Sequence, residues 1–266
     1  MSVVVMIPAR YASVRYPGKP LVPLTGADGQ AKTLIERSWE AARAAGGIDE
    51  IYVTTDDERI RAASEGFGAR VAMTSEECAN GTERCAEAIE TLGIAPEIVV
   101  NLQGDAPLTP PWFVEALVGA MRADPAIQVA TPVLRCDHES YESFAADRRA
   151  GRVGATTVVF GNTMDALYFS KEIVPYLARP PAPGAPVPVF HHVGIYAYRP
   201  AALALYRSAV PGPLEGLEGL EQLRFLENGV AVRCVEVEAR GRAFWELNNP
   251  VDVERIEAVL KAEGLP

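Results

Sequence analysis

Apolar residues run unbroken from Val3 to Ile7, and a polar, basic stretch carries the chain on to Leu21, as VVVMIPARYASVRYPGKPL. An apolar run of this length reads as a strand buried on both faces, the pattern of parallel sheets. Thr33-Leu-Ile-Glu36 has the form of a capping box and opens a helix that Gly46 and Gly47 can end. Strands are predicted at Ile51 to Thr55 and near Arg70 to Met73. Helices are predicted over Asp57 to Gly66 and over Thr82 to Leu92, where Cys85, Ile89 and Leu92 fall at helical spacing. Ile98 to Leu102 is a further buried strand, Pro110 to Met121 a helix with proline in its first turn, and Gln128 to Leu134 another strand. Strand alternating with helix predicts an α/β fold with a mostly parallel sheet and helices on both faces.

The pattern changes from Thr156 onward. TTVVF, ALYFS and HVGIYAY are short strand-like pieces, which predicts an antiparallel excursion, and the proline-rich stretch RPPAPGAPVP (179–188) links two of them. Leu214, Leu217, Leu220, Leu223 and Leu226 mark one helix, Ala231 to Glu238 a strand, and Pro250 to Ala262 a closing helix. The expected organisation is an α/β domain over 1–155 and 213–266, with a small mixed subdomain over 156–212.

Composition narrows the partners. The chain has 266 residues, 48% of them hydrophobic and 23% charged, which is ordinary for a globular protein with a substantial core. A net charge of -10 argues against a nucleic-acid backbone as partner, since that binding depends on Lys and Arg neutralising phosphates. No apolar run is long enough to span a membrane, and the first residues lack the basic start of a signal peptide, so a cytoplasmic location is expected. Cys78, Cys85, Cys136 and Cys234 lack CxxC spacing and read as reduced, partly buried thiols.

Against this acidic background the basic stretch stands out. Arg10, Arg15 and Lys19 beside Gly18, placed where a buried strand ends, suit a phosphorylated ligand, although the stretch is neither GxxxxGK[ST] nor GxGxxG. By the same strand-end rule Arg10, Asp56 and Asp105 should lie along one edge of the sheet. Asp105, presented after an apolar strand and a glycine, suits a divalent ion that bridges to phosphate; it reads equally well as a turn or capping aspartate. Arg84 is either a ligand-side cation on a helix N-terminus or the partner of Glu87 in a surface salt bridge. His192, Tyr196 and Tyr198 share a strand face, which also suits a core-facing strand with a satisfied histidine. Glu215, Glu218 and Glu221 form an acidic stripe of the kind that is usually solvated, while Glu221-Gln222 suits the hydroxyls of a sugar.

Taken in order, IPARYASVRYPGKPL, NGTERCAEA, VVNLQGDAP, ALYFSK, HHVGIYAYR and LEGLEQLRFL resemble the 3-deoxy-manno-octulosonate (Kdo) cytidylyltransferase family over roughly the whole chain. The resemblance implies a Rossmann-like, mostly parallel sheet of the nucleotide-diphospho-sugar transferase type and a homodimer. It implies transfer of CMP from CTP to the anomeric hydroxyl of Kdo, with Mg²⁺ as cofactor. Lys19, Asp105 and Arg15 would be catalytic. Arg10, Arg15, Lys19, Arg84 and Gln103 would hold the nucleotide. Gln103, Lys171, His192, Tyr196, Glu221 and Gln222 would hold the acidic eight-carbon sugar. Asp105 and Asn248 would be the metal ligands, with Glu246 placed to supply the charge that Asn248 lacks. The chain departs from the family at Ala106, Asn80, Lys171, His191, Thr157 and Asn248. These departures keep open a different ulosonic acid, such as an amino-substituted Kdo, and a nucleotide-binding protein without catalysis.

Overall fold

Val3–Pro8 forms β1, buried at every position, and the basic stretch that follows it closes with one 3-10 turn, Lys19–Leu21. The computed structural model describes residues 2–12, 16–153, 155–182, 184–242 and 246–266. A hairpin of β2 (Pro23–Thr25) and β3 (Ala31–Thr33) leads into α1 (Leu34–Arg43), where Thr33 caps the helix by accepting from the Glu36 N–H. Next come β4 (Glu50–Thr55), α2 (Glu58–Gly66), β5 (Arg70–Met73), α3 (Gly81–Leu92), β6 (Ile98–Leu102), α4 (Pro111–Ala123) and β7 (Val129–Arg135). The second half adds α5 (His138–Arg149), β8 (Thr157–Phe160), β9 (Ala166–Ser170), β10 (Phe190–His192) and β11 (Ile195–Tyr198). It ends with α6 (Pro200–Ser208), α7 (Pro213–Glu218), α8 (Leu223–Glu227), β12 (Val232–Val237) and α9 (Asp252–Ala262).

One sheet organises the molecule, in the order β5-β4-β1-β6-β11-β7-β10-β8-β9, with β12 against the free side of β7. The expected α/β class is what forms. β5, β4, β1 and β6 are mutually parallel, β11 enters antiparallel between β6 and β7, and β12 runs parallel to β7. Alternate residues of β1 feed opposite faces: Val3, Val5 and Ile7 join one core cluster, Val4 and Met6 the other. Burial of each such side chain is worth about 1.5–3 kcal/mol, so β1 is pinned from both sides.

The strand pieces of 156–212 all join this sheet, and β11 is the one that matters for the site. Its register sets Ile195 opposite Leu102 and Tyr196 opposite Asn101, so the start of β11 lies beside the end of β6. One expectation is corrected. The leucine-spaced stretch from 214 to 226 is not one helix but two, α7 and α8, because Gly219 takes a left-handed conformation with φ 60° and ends α7. The hairpin β2–β3 and the helices α5 and α6 were not anticipated from the sequence. Among the described residues no helix is long and apolar enough to cross a membrane.

Candidate active site

The chain reverses its direction of winding between β1 and β6: β4 lies on one side of β1 and β6 on the other. In parallel sheets ligands bind beyond the strand ends at such a point. Here β1 ends at Pro8 and β6 at Leu102, and the two following loops touch, with the Gly104 N–H donating to the Pro8 carbonyl at 3.2 Å. A Cβ at residue 104 would stand 2.6 Å from that carbonyl oxygen, so only glycine lets the Gln103-Gly104-Asp105 loop lie this close.

A cavity of about 320 Å³ opens there, walled by Arg10 and Lys19 from the first loop, Gln103 and Asp105 from the second, and Asn80, Gly81 and Arg84 from the start of α3. Lys19 Nζ lies 2.6 Å from Asp105 Oδ2, half-sheltered from solvent. Asn80 caps α3 by accepting from the Glu83 N–H at 2.9 Å, while Glu83 reaches back to the Ala79 N–H at 2.8 Å. This reciprocal pair fixes a helix N-terminus, whose amides favour anions, on the cavity wall. Arg84 is buried and pairs with Asp56 at 3.4 Å, bridging from α3 to the end of β4.

A second, larger cavity of about 990 Å³ shares Ala79, Asn80, Gln103 and Asp105 with the first and is lined further by Lys171, His191, His192, Tyr196, Glu221, Gln222, Glu246 and Asn248. Tyr196 donates to Gln222 Oε1 at 3.0 Å, and the Gln222 amide nitrogen is buried without a hydrogen-bond partner among the described residues. His192 Nε2 is 2.9 Å from the Thr131 hydroxyl. Burial pushes the His192 imidazole down to about 3, with repulsion from His191 added, and burial pushes His191 down to about 4. Both rings are therefore neutral near pH 7. Glu221 stands on the wall of the larger cavity, where its carboxylate accepts from the Thr82 N–H at 3.0 Å and from the Gln103 amide, a residue of both walls, at 3.4 Å. Desolvation raises the pKa of Glu221 above the usual carboxylate range.

Beneath Glu221 lies a buried ion cluster. The Arg224 guanidinium makes a fork to Glu215 at 2.7 Å on each side and reaches Glu83 at 2.8 Å, stacked 4.1 Å over the Tyr206 ring. Tyr206 receives a hydrogen bond from Asn80 at 2.9 Å and donates to the Glu221 carbonyl at 3.1 Å. The cap of α3 and the turn bearing Glu221-Gln222 are thereby tied into one unit.

The late segment closes the site from the far side. The Leu247 N–H donates to the Asp105 carbonyl at 2.9 Å, and Asp252 Oδ2 accepts from the N–H groups of Asn248 (3.0 Å) and Asn249 (2.7 Å). Asp105, Asn248 and Glu246 thus border one cavity as hard oxygen donors, a set that suits Mg²⁺ when phosphate oxygens complete its shell. No group of three or more His, Cys, Asp or Glu side chains gathers closely enough to hold an ion among the described residues. The donor set therefore fits an ion that arrives with a nucleotide rather than one held by protein alone.

The structure brings Arg10, Lys19, Arg84, Gln103 and Asp105 to the smaller cavity and Lys171, His192, Tyr196, Glu221, Gln222 and Asn248 to the larger one. Arg15 lies outside the described residues. Arg84 is not the surface salt-bridge partner of Glu87 that the sequence offered as one reading; its carboxylate partner is Asp56. Asp56 itself does not line the cavity. The sequence reading missed Asp252, Tyr206 and Arg224. Arg224 stands in the quoted LEGLEQLRFL motif, but nothing in local spacing marks a buried arginine whose partners include a residue 141 positions away. The four cysteines are free and buried, as expected.

A mixed sheet with a cationic cleft at its switch point, continuous with a larger polar cavity, is the site of a nucleotidyl transferase. A family model described as cytidylyltransferase matches residues 4–237, and the chain belongs to that family. It is 44% identical over 264 residues to the 3-deoxy-manno-octulosonate cytidylyltransferase of Maricaulis maris, covering 99% of each chain. It is 38% identical to the 8-amino-3,8-dideoxy-manno-octulosonate cytidylyltransferase of Shewanella halifaxensis, covering 99% of this chain and 100% of the relative. Among solved structures, a CMP:2-keto-3-deoxy-manno-octonic acid synthetase complexed with CTP superposes with a TM-score of 0.84 at 35% identity, over 99% of this chain and 100% of the other.

Proposed function

We propose that the chain moves the cytidylyl group of CTP onto the anomeric hydroxyl of Kdo and releases pyrophosphate, in the cytoplasm and as a homodimer. The observation that carries this reading is the shared wall of the two cavities: Asn80, Gln103 and Asp105 border both the cationic cleft and the larger polar one. Two substrates seated there would meet at that wall.

The new bond forms between the anomeric oxygen and the α-phosphorus, and the bond from that phosphorus to the bridging oxygen of the β-phosphate breaks. The chain supplies positioning and charge, which is most of what phosphoryl-type transfer requires. Arg10 and Lys19 neutralise phosphate oxygens, with the phosphates competing against Asp105 for the Lys19 ammonium. The α3 N-terminus adds amide donors. Asp105 and Asn248, with Glu246 on the same wall, would hold Mg²⁺, which when bound supplies further neutralisation of phosphate charge. On the acid side Lys171 provides positive charge, since both histidines are neutral. Tyr196, Gln222 and Glu221 offer donors and acceptors to hydroxyls. Leu167, Val210 and Leu217 stand exposed on and around β9 and α7 and offer apolar surface for the second copy; a monomer by sedimentation would remove the dimer from this reading.

A second reading is favoured by the charge of the larger cavity. Glu215, Glu221 and Glu246 line it together with Asp105, against Lys171 as the lining cation, and such a wall suits an acid that also carries an ammonium group. Pyrophosphate release measured with CTP or UTP, and with Kdo or its 8-amino analogue, separates the readings. Turnover with CTP and Kdo is expected, with half-maximal rate shifted to higher Mg²⁺ in Asn248→Ala or Glu246→Ala; an unchanged Mg²⁺ dependence in both would remove these residues from the metal site. Much tighter use of the amino analogue would move the substrate. CTP binding without turnover of either acid would favour a non-catalytic protein.

A further inference from the structure

The segment bearing the phosphate-side cations is tied at its mouth by groups that lie outside both cavities. The Gly18 N–H donates to the Tyr11 carbonyl at 2.9 Å, which brings the two ends of the stretch together. The Tyr11 ring packs against that junction so closely that a Cβ on residue 18 would stand 3.1 Å from it. The same ring carries the Arg59 guanidinium, whose Cζ is 3.3 Å from the ring centroid. Arg59 is in turn held by Asp57 through a fork, Nε to Oδ1 at 3.1 Å and Nη2 to Oδ2 at 2.6 Å. Asp57 is itself fixed, because it caps α2 by accepting from the N–H groups of Arg59 (2.9 Å) and Ile60 (3.3 Å).

Asp57, Arg59 and Tyr11 thus form a chain from the rigid start of α2 to the ends of the basic stretch. Neither Tyr11 nor Arg59 is among the residues lining the two cavities described above. Arg59 is also 60% exposed at its side chain, so its packing contributes little to the core. What its stacking does is restrict the ring against which Gly18 closes. Arg10 and Lys19 each lie one residue outside that closure, and their placement on the cavity wall depends on it.

We propose that Arg59, acting through the Tyr11 ring, is a positioning residue for the nucleotide: it holds the Tyr11–Gly18 junction so that the adjoining Arg10 and Lys19 meet the phosphates already in place. This rests on the reading of that stretch as the nucleotide grip. Fixing Arg10 and Lys19 before the ligand arrives lowers the entropic cost of binding, so the effect should fall on CTP and not on the acid.

The test is steady-state kinetics and equilibrium CTP binding in Arg59→Ala, Tyr11→Leu, the double variant and Lys19→Ala, each with a thermal midpoint. Arg59→Ala should raise the KM for CTP about two- to fivefold, the range of a stacked cation at an exposed site, and leave the KM for the acid and the thermal midpoint in place. Arg59→Lys, which keeps the charge but loses the flat face and the fork, should recover only part of it. Arg59→Ala should add nothing in the Tyr11→Leu background, because both remove one linkage. An unchanged KM for CTP in Arg59→Ala beside weakened binding in Lys19→Ala overturns the clamp alone, as does full additivity in the double variant. Unchanged CTP binding in Lys19→Ala overturns the nucleotide grip, and the clamp falls with it.

Discussion

His192 lines the larger cavity as an uncharged group. It is 6% exposed, bonded to Thr131, and set edge-on to Phe169 with ring centroids 4.9 Å apart. Its pKa of about 3 lies far below the ordinary value of 6.5. Between those values the unfolded chain binds a proton there and the native one does not, so stability is present above about pH 6.5 and is lost as pH falls toward 3. The slope is at most about 1.4 kcal/mol per pH unit for one such group. Replacing His192 with Gln, which also has a polar end to offer Thr131, should therefore flatten the acid limb. Urea midpoints at pH 7, 6, 5 and 4 should show the wild-type advantage shrinking with each step down; a constant gap would contradict the buried neutral imidazole. Strand parity made the shared face of Tyr196 and Tyr198 legible in the sequence, and their rings stack 5.8 Å apart; His192 does not share their strand, because the expected single strand is broken at Val193-Gly194 into β10 and β11, and its ring meets Tyr196 across that break at 5.6 Å. The reach of Glu221 into the α3 N-terminus was not legible, because its partner Thr82 is 139 positions away and no local pattern reports such a distance.

Between elements, the decisive feature is the break between α7 and α8. Leucines at every third position suggested one helix, and tertiary structure overrides that spacing at Gly219, whose N–H closes α7 on the Glu215 carbonyl at 2.7 Å. The turn so made carries Glu221 and Gln222 across to β11 and α3. Glu218, read as part of a solvated stripe, instead accepts from Ser170 at 2.7 Å and from the Lys171 N–H at 2.9 Å, which fastens α7 to the end of β9. Gly219→Ala should cost about 1 kcal/mol for the left-handed backbone, and its new Cβ would stand 3.0 Å from Lys171 Nζ. We expect a several-fold higher KM for the acid with an unchanged KM for CTP; the reverse pattern in the two constants would place this turn on the nucleotide side.

For the molecule as a whole, the parallel half of the sheet was readable because each of its strands is a short apolar run followed by a helix signal. The insertion of β11 between β6 and β7 was not, since pairing of strands so distant in sequence is set by the packing of both faces and not by either strand's own pattern. Yet that insertion makes the site, by lining up the ends of β1, β6 and the start of β11 so that one wall serves two cavities. The most direct test of this arrangement is ³¹P NMR of the protein with CTP, Mg²⁺ and Kdo. The account predicts that the three CTP resonances decline together while a phosphodiester resonance and pyrophosphate grow in equal amounts. CTP that binds yet persists unchanged, or that yields CMP and pyrophosphate without the phosphodiester, would contradict it.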